Sequence, residues 1–155
     1  MTYTLRGLEP ALFQPLFELD DVSLSARGMR RMRVDTPVGY PCRISLEDAP
    51  VGEEVLLLPF VHQHSRSPYR ASGPIFVRRN IREARRIVGE LPPYLALRPL
   101  SVRAYDAADD MLDADIVDGA EAAPLIERYL ARYGVRYLHL HFARRGCYAC
   151  RVDRT

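Results

Sequence analysis

The period of the hydrophobic positions changes several times along the chain, and the changes mark its elements. Thr2 to Arg6 alternates as an opening strand would. Glu9 to Leu19 sets Leu12, Phe13, Leu16 and Phe17 on one helical face, interrupted by Pro15. Asp20 or Asp21 caps a short helix over Val22 to Ala26, stopped by Gly28. Met29 to Val34 alternates apolar residues with arginine, as an exposed strand does. A rigid turn from Pro37 to Pro41 precedes a strand from Cys42 to Leu46. Glu54 to His62 is a further strand, in which Pro59 demands an edge position or a bulge. His62 to Pro74 has the composition of an irregular loop, and Ile75 to Arg79 of a strand. Asn80 to Gly89 reads as a short helix, with Asn80 as cap and Glu83 three residues on.

The second half is more regular. Leu100 to Val117 predicts a hairpin turning at Asp106 to Asp110. Leu100, Val102, Ala104, Leu112, Ala114 and Ile116 then face the core, and Arg103 stands opposite Asp113. A helix follows, with Pro124 in its first turn and a stripe of Leu125, Ile126, Tyr129, Leu130 and Tyr133, ended by Gly134. Val135 to Phe142 and Cys147 to Asp153 are strands joined by a turn at Ala143 to Gly146. Hairpins outnumber helices and no linker breaks the pattern. The expected fold is α+β in one domain over residues 1–155: a mixed, mainly antiparallel sheet with a few short helices packed on it.

Composition narrows the function classes. All 22 basic residues are arginine, spread evenly, which fits codon bias better than selection for anion recognition. A net charge of +2 disfavours nucleic acid, which calls for a concentrated basic face. Met1 to Gly7 does not read as a signal peptide, and no apolar run approaches the ~20 residues that span a bilayer. Three cysteines, an odd number, point to thiols in a reducing cytoplasm rather than a disulfide framework.

All four histidines fall in two His-x-His pairs, His62 with His64 and His139 with His141. Residues two apart on a strand share a face, so each pair can offer two imidazoles to one metal ion. Across the last hairpin, His139 is expected opposite Cys150 and His141 opposite Tyr148, giving a face of two imidazoles, a phenol and a thiol. A divalent metal is a candidate cofactor but not the favoured one, because no carboxylate lies at ligand spacing from either pair. Cys147 and Cys150 form a Cys-x-x-Cys that begins a strand rather than a helix. Its thiols would point to opposite faces, and buried core residues are the better reading. Cys42, next to Arg43, is a candidate nucleophile if a histidine reaches it. The loop with Arg70, Ser72 and Gly73, followed by Arg78, could cradle a phosphate or carboxylate, although it matches no P-loop or dinucleotide spacing. The aspartates around the Asp106 to Asp118 hairpin are a solvated tip, without EF-hand spacing.

The runs Pro41 to Leu46, Ser67 to Arg78 and Arg145 to Tyr148, together with Arg6-Gly7-Leu8, resemble the signatures of an uncharacterised bacterial family, the domain of unknown function twelve-hundred-and-three. The resemblance implies a bacterial single-domain protein of about this length. It implies no activity and no catalytic residues.

The leading expectation is a small-ligand site, enzymatic or not. Cys42, His139 and His141 would be its reactive groups, Arg43, Arg70, Ser72, Gly73 and Arg78 its ligand contacts, and His62, His64, His139 and His141 its candidate metal ligands. The ligand would be anionic or polar. The alternative is a non-catalytic interaction module, with a nucleic-acid binder behind it. A homo-oligomer stays open.

Overall fold

The computed structural model describes residues 2–155 and has an α+β fold with two mostly antiparallel sheets. The strands in chain order are β1 (Tyr3–Arg6), β2 (Arg30–Arg33), β3 (Pro41–Cys42), β4 (Glu47–Asp48), β5 (Glu54–Gln63), β6 (Ala71–Arg78), β7 (Arg86–Val88), β8 (Pro99–Tyr105), β9 (Met111–Asp118), β10 (Tyr137–Phe142) and β11 (Tyr148–Arg154). The α-helices are α1 (Asp21–Ala26), α2 (Pro93–Ala96) and α3 (Ala122–Ala131). Sheet one runs β7-β1-β11-β10-β8-β9, and sheet two runs β2-β5-β6-β3-β4. Every pairing is antiparallel except β3 with β6.

Sheet one buries one face against α3. Leu100, Val102 and Ala104 of β8 and Leu138 and Leu140 of β10 meet Leu125, Ile126, Tyr129 and Leu130 of the helix. That helix follows the expected stripe except at its end, where Tyr133 lies past the last turn and is fully exposed. The segment from Glu9 to Leu19 forms two 3-10 turns, Pro10–Leu12 and Gln14–Glu18, rather than an α-helix. A proline near the start of each turn removes an amide that a longer helix would need. Phe13 and Phe17 still reach the second core, which joins Leu24, Cys42, Ile44, Leu56, Leu58, Ile75 and Val77 on sheet two. Asp20 caps α1, its carboxylate accepting the Ser23 amide at 2.8 Å.

Four local expectations are corrected. Asn80 to Gly89 is not a helix: its end, β7, pairs with β1, so those amides serve a sheet ladder. Cys42 to Leu46 is not a continuous strand: after Cys42 the chain turns, with Leu46 in the left-handed region at φ 53°, and returns as β4. The irregular loop shrinks to residues 64–70, because β6 begins at Ala71 and pairs with β5 from Ala71 through Arg78. The β8–β9 hairpin turns where expected, but a bulge beside Tyr105 shifts its register. Arg103 therefore faces Ala114 rather than Asp113, and Ile116 is 68% exposed instead of facing the core. A one-residue slip moves every later side chain to the opposite face. Among the described residues, no helix is long and apolar enough to cross a membrane.

Candidate metal centre at the seam of the two sheets

The face of sheet one opposite α3 is polar, and its composition follows from register. On β10, Tyr137, His139 and His141 alternate with Leu138 and Leu140, which belong to the helix side. Their cross-strand partners on β8 are Tyr105, Arg103 and Ser101. On β11, His139 faces Arg151 and His141 faces Tyr148. A bulge between Leu140 and His141 corrects the expected pairing of His139 with Cys150: Cys150 pairs with Leu140 and enters the apolar core.

Sheet two adds the third imidazole. β5 carries a bulge between Val61 and Gln63, so His62 has no partner of its own on β6. Bulges re-aim side chains. The Gln63 amide donates to the Tyr137 hydroxyl at 2.9 Å, which ties the two sheets together. The His62 ring stacks on Tyr148, with centroids 5.4 Å apart and planes at 7°, and meets His141 edge-on at 4.9 Å. One potential ligand nitrogen each from His62, His139 and His141 lies within 4.8 Å of the other two.

These rings are short of partners. Nδ1 of His62, Nδ1 of His139 and Nε2 of His141 are buried with no hydrogen-bond partner among the described residues. His141 Nδ1 lies 2.9 Å from the Gly146 carbonyl oxygen. A carbonyl only accepts, so that nitrogen carries the proton and Nε2 keeps its lone pair. Burial drives all three pKa values down. His62 falls to about 4, with Arg103 next in effect. His139 falls to about 2, with the other two histidines adding to the effect. His141 falls to about 3, partly opposed by its bond to Gly146. At neutral pH the trio is uncharged, the form in which imidazole binds a metal.

The other expected site residues sit elsewhere. His64 lies just past β5, exposed, edge-on to Phe60 and outside the trio. Cys42 is buried in the second core, its sulfur accepting from the Ser45 and Arg78 amides, and it is not among the clustered ligands. Arg43 is 1% exposed and acts as a brace: it donates to the Tyr148 carbonyl at 2.8 Å and the Pro41 carbonyl at 2.6 Å. Its guanidinium also lies 5.2 Å from the Phe142 ring centroid. Arg78 makes a two-pronged ion pair with Glu53 at 2.7 Å per bond, leaving little of it for a ligand. Arg70 holds the His64 carbonyl, Ser72 is exposed, and Gly73 lies on β6 with open space around it. Cys42, Cys147 and Cys150 are all free, and burial pushes the Cys150 thiol well up. A cleft of about 650 Å³ lies between the Asp106 loop and the end of α3, and none of the trio lines it.

Four residues at the seam carry no advance signal as site groups: Ser101, Arg103, Tyr137 and Arg151. Alternation alone would have put the first two on one strand face. Only the β8–β10 pairing sets that face beside the histidines.

The model for a protein family of unknown function, DUF1203, matches residues 39–154. The chain belongs to that family. The match takes in every strand from β3 to β11, and so all three clustered histidines of this DUF1203 chain. No curated protein and no solved structure matches the chain.

Proposed function

We propose that this DUF1203 chain is a metal-binding protein whose centre is His62, His139 and His141, with a fourth coordination position left for a small ligand. One observation carries the reading: three uncharged imidazoles from two sheets converge, each with a buried ring nitrogen that none of the described residues satisfies. A buried polar atom without a partner costs about 1–3 kcal/mol, so three together call for a shared occupant. Three nitrogens bound at ~2.0–2.1 Å in a tetrahedron stand about 3.4 Å apart. The three candidate nitrogens lie within 4.8 Å of one another, and χ2, the torsion that turns an imidazole ring, is soft.

Imidazole suits zinc and its neighbours, and three protein ligands plus an open position is the ligand count of catalytic zinc sites. The bond from His141 to the Gly146 carbonyl is the outer partner that a ligating histidine ordinarily has. A metal held here would polarise a bound water or substrate oxygen, which suits hydrolytic or hydration chemistry. Three free thiols suit a reducing compartment such as the cytoplasm. The second sequence reading, a non-catalytic interaction module, gains no comparable observation.

The test is direct. Zinc or cobalt titrated into the purified chain should bind at one equivalent by calorimetry, and His139→Ala or His141→Ala should lower the affinity at least a hundredfold. His64→Ala should leave it unchanged. No stoichiometric binding, or equal losses in His64→Ala and His139→Ala, would end the proposal.

A further inference from the structure

The environment of the trio points to what occupies the fourth position. Ser101 and Arg103 sit on β8 opposite His141 and His139, on the same face of the sheet. The Arg103 Nε donates to the Ser101 hydroxyl at 3.1 Å, so the guanidinium folds back along the strand towards the residue beside His141. Arg151 flanks His139 from the other side, but Asp153 holds it at 2.8 Å and the Tyr137 ring lies 4.0 Å from it. Among the described residues, no carboxylate forms a salt bridge with Arg103. Arg103 and Ser101 are also only partly buried, whereas His139 and His141 are 4% and 1% exposed. The approach to the histidines from the β8 side therefore passes a guanidinium with no counter-ion.

Charge bookkeeping sets the sign of the ligand. The cluster contains neutral imidazoles and no carboxylate, so a divalent ion keeps its full charge there. Asp153 offsets Arg151 and Asp109 accepts from the Tyr137 hydroxyl, so a divalent ion together with the Arg103 cation would still leave the seam net positive, as an anion site requires. A guanidinium pairs best with a planar oxyanion, through parallel N–H donors to two oxygens. Ala114 and Ile116 continue the same face onto β9 as opposite neighbours of Arg103 and Ser101, and both are exposed. They offer an apolar shelf next to the charge.

We propose that the centre binds a small organic carboxylate, one oxygen on the metal and the other on Arg103, with its carbon chain against Ala114 and Ile116. This rests on the metal-centre reading above. Inorganic oxyanions share the charged contacts but would not use the shelf.

Cobalt-loaded protein reports on both steps, because the visible spectrum of the ion follows its coordination. Butyrate should perturb the spectrum saturably, binding at least fivefold more tightly than acetate or phosphate. Arg103→Ala should weaken butyrate tenfold or more while cobalt affinity stays within twofold. Ser101→Ala is the milder second variant, expected to weaken butyrate several-fold should Arg103→Ala not fold. Ile116→Asp should remove the preference for butyrate over acetate. If cobalt does not bind, the metal centre fails and this inference with it. If cobalt binds and butyrate leaves the spectrum unchanged, or binds equally to wild type, Arg103→Ala and Ser101→Ala, only the carboxylate site fails.

Discussion

His139 and His141 are almost completely buried and uncharged in the folded chain, and that gives the metal-free protein a defined acid response. Unfolded histidine titrates near 6.5. Above that pH neither state takes up the proton, and the two residues leave stability independent of pH. Below it the unfolded chain binds protons that the folded rings refuse until about pH 3 for His141 and about pH 2 for His139. Stability is therefore lost as pH falls through this window, by about 1.4 kcal/mol per pH unit for each residue. We predict that the urea midpoint of the metal-free protein drops between pH 7 and pH 5, and that His139→Gln flattens the drop. Equal midpoints at the two pH values would show that these rings are protonated in the fold. At this scale the sequence was informative about type and poor about role. Two His-x-His pairs were visible, and strand periodicity correctly put His139 and His141 on one face. The same rule grouped His62 with His64, which the bulge and the end of β5 separate.

Among the elements, glycines separate packing constraints from free space. A Cβ on Gly7 would lie 2.1 Å from the Ile44 carbonyl oxygen, where the chain after β1 passes against the turn after β3. The Gly7 amide also donates to the Arg85 carbonyl at 2.8 Å, so neither side of that crossing can give way easily. A Cβ on Gly73 meets nothing within 4 Å. We predict that Gly7→Ala costs about 3 kcal/mol or more, whereas Gly73→Ala stays within about 0.5 kcal/mol of wild type. Thermal unfolding of the two variants checks the contrast. A neutral Gly7→Ala would mean that the crossing is looser than the structure has it. Elements whose apolar period matched one buried face were legible: β8, α3, β10 and the hairpin turns all lie close to where alternation put them. Bulges defeated the finer reading, because one extra residue reverses inside and outside without leaving a mark on composition. The supposed helix at Asn80 had a cap and a period, but pairing with β1 took its last residues instead. That competition is long-range and invisible in a local window.

For the molecule as a whole, the important fact is that one sheet lacks what the other supplies. β10 is buried along its full length, by α3 on one side and by the polar seam on the other. The first half of that statement could be read from the chain; the second could not, because nothing local says that the end of β5 meets β10. A metal at the seam would join the sheets as the Gln63–Tyr137 bond already does. Zinc at a hundred times its dissociation constant should then raise stability by about 2.7 kcal/mol, visible as an increase in Tm. The increase should vanish in His62→Ala, whose ligand comes from the second sheet, as fully as in His141→Ala. A gain that survives loss of His62 would mean that zinc binds within sheet one alone.

The Gly146 carbonyl grips one nitrogen of the His141 ring while the opposite nitrogen points inward. The tip of the last hairpin is thus wired to the centre through a single aromatic ring. A metal drawing electron density from the inner nitrogen would sharpen the outer N–H, and the carbonyl at the tip would register the change. The carbon-13 resonance of Gly146 is a gauge, outside the centre, of whether anything has taken hold inside.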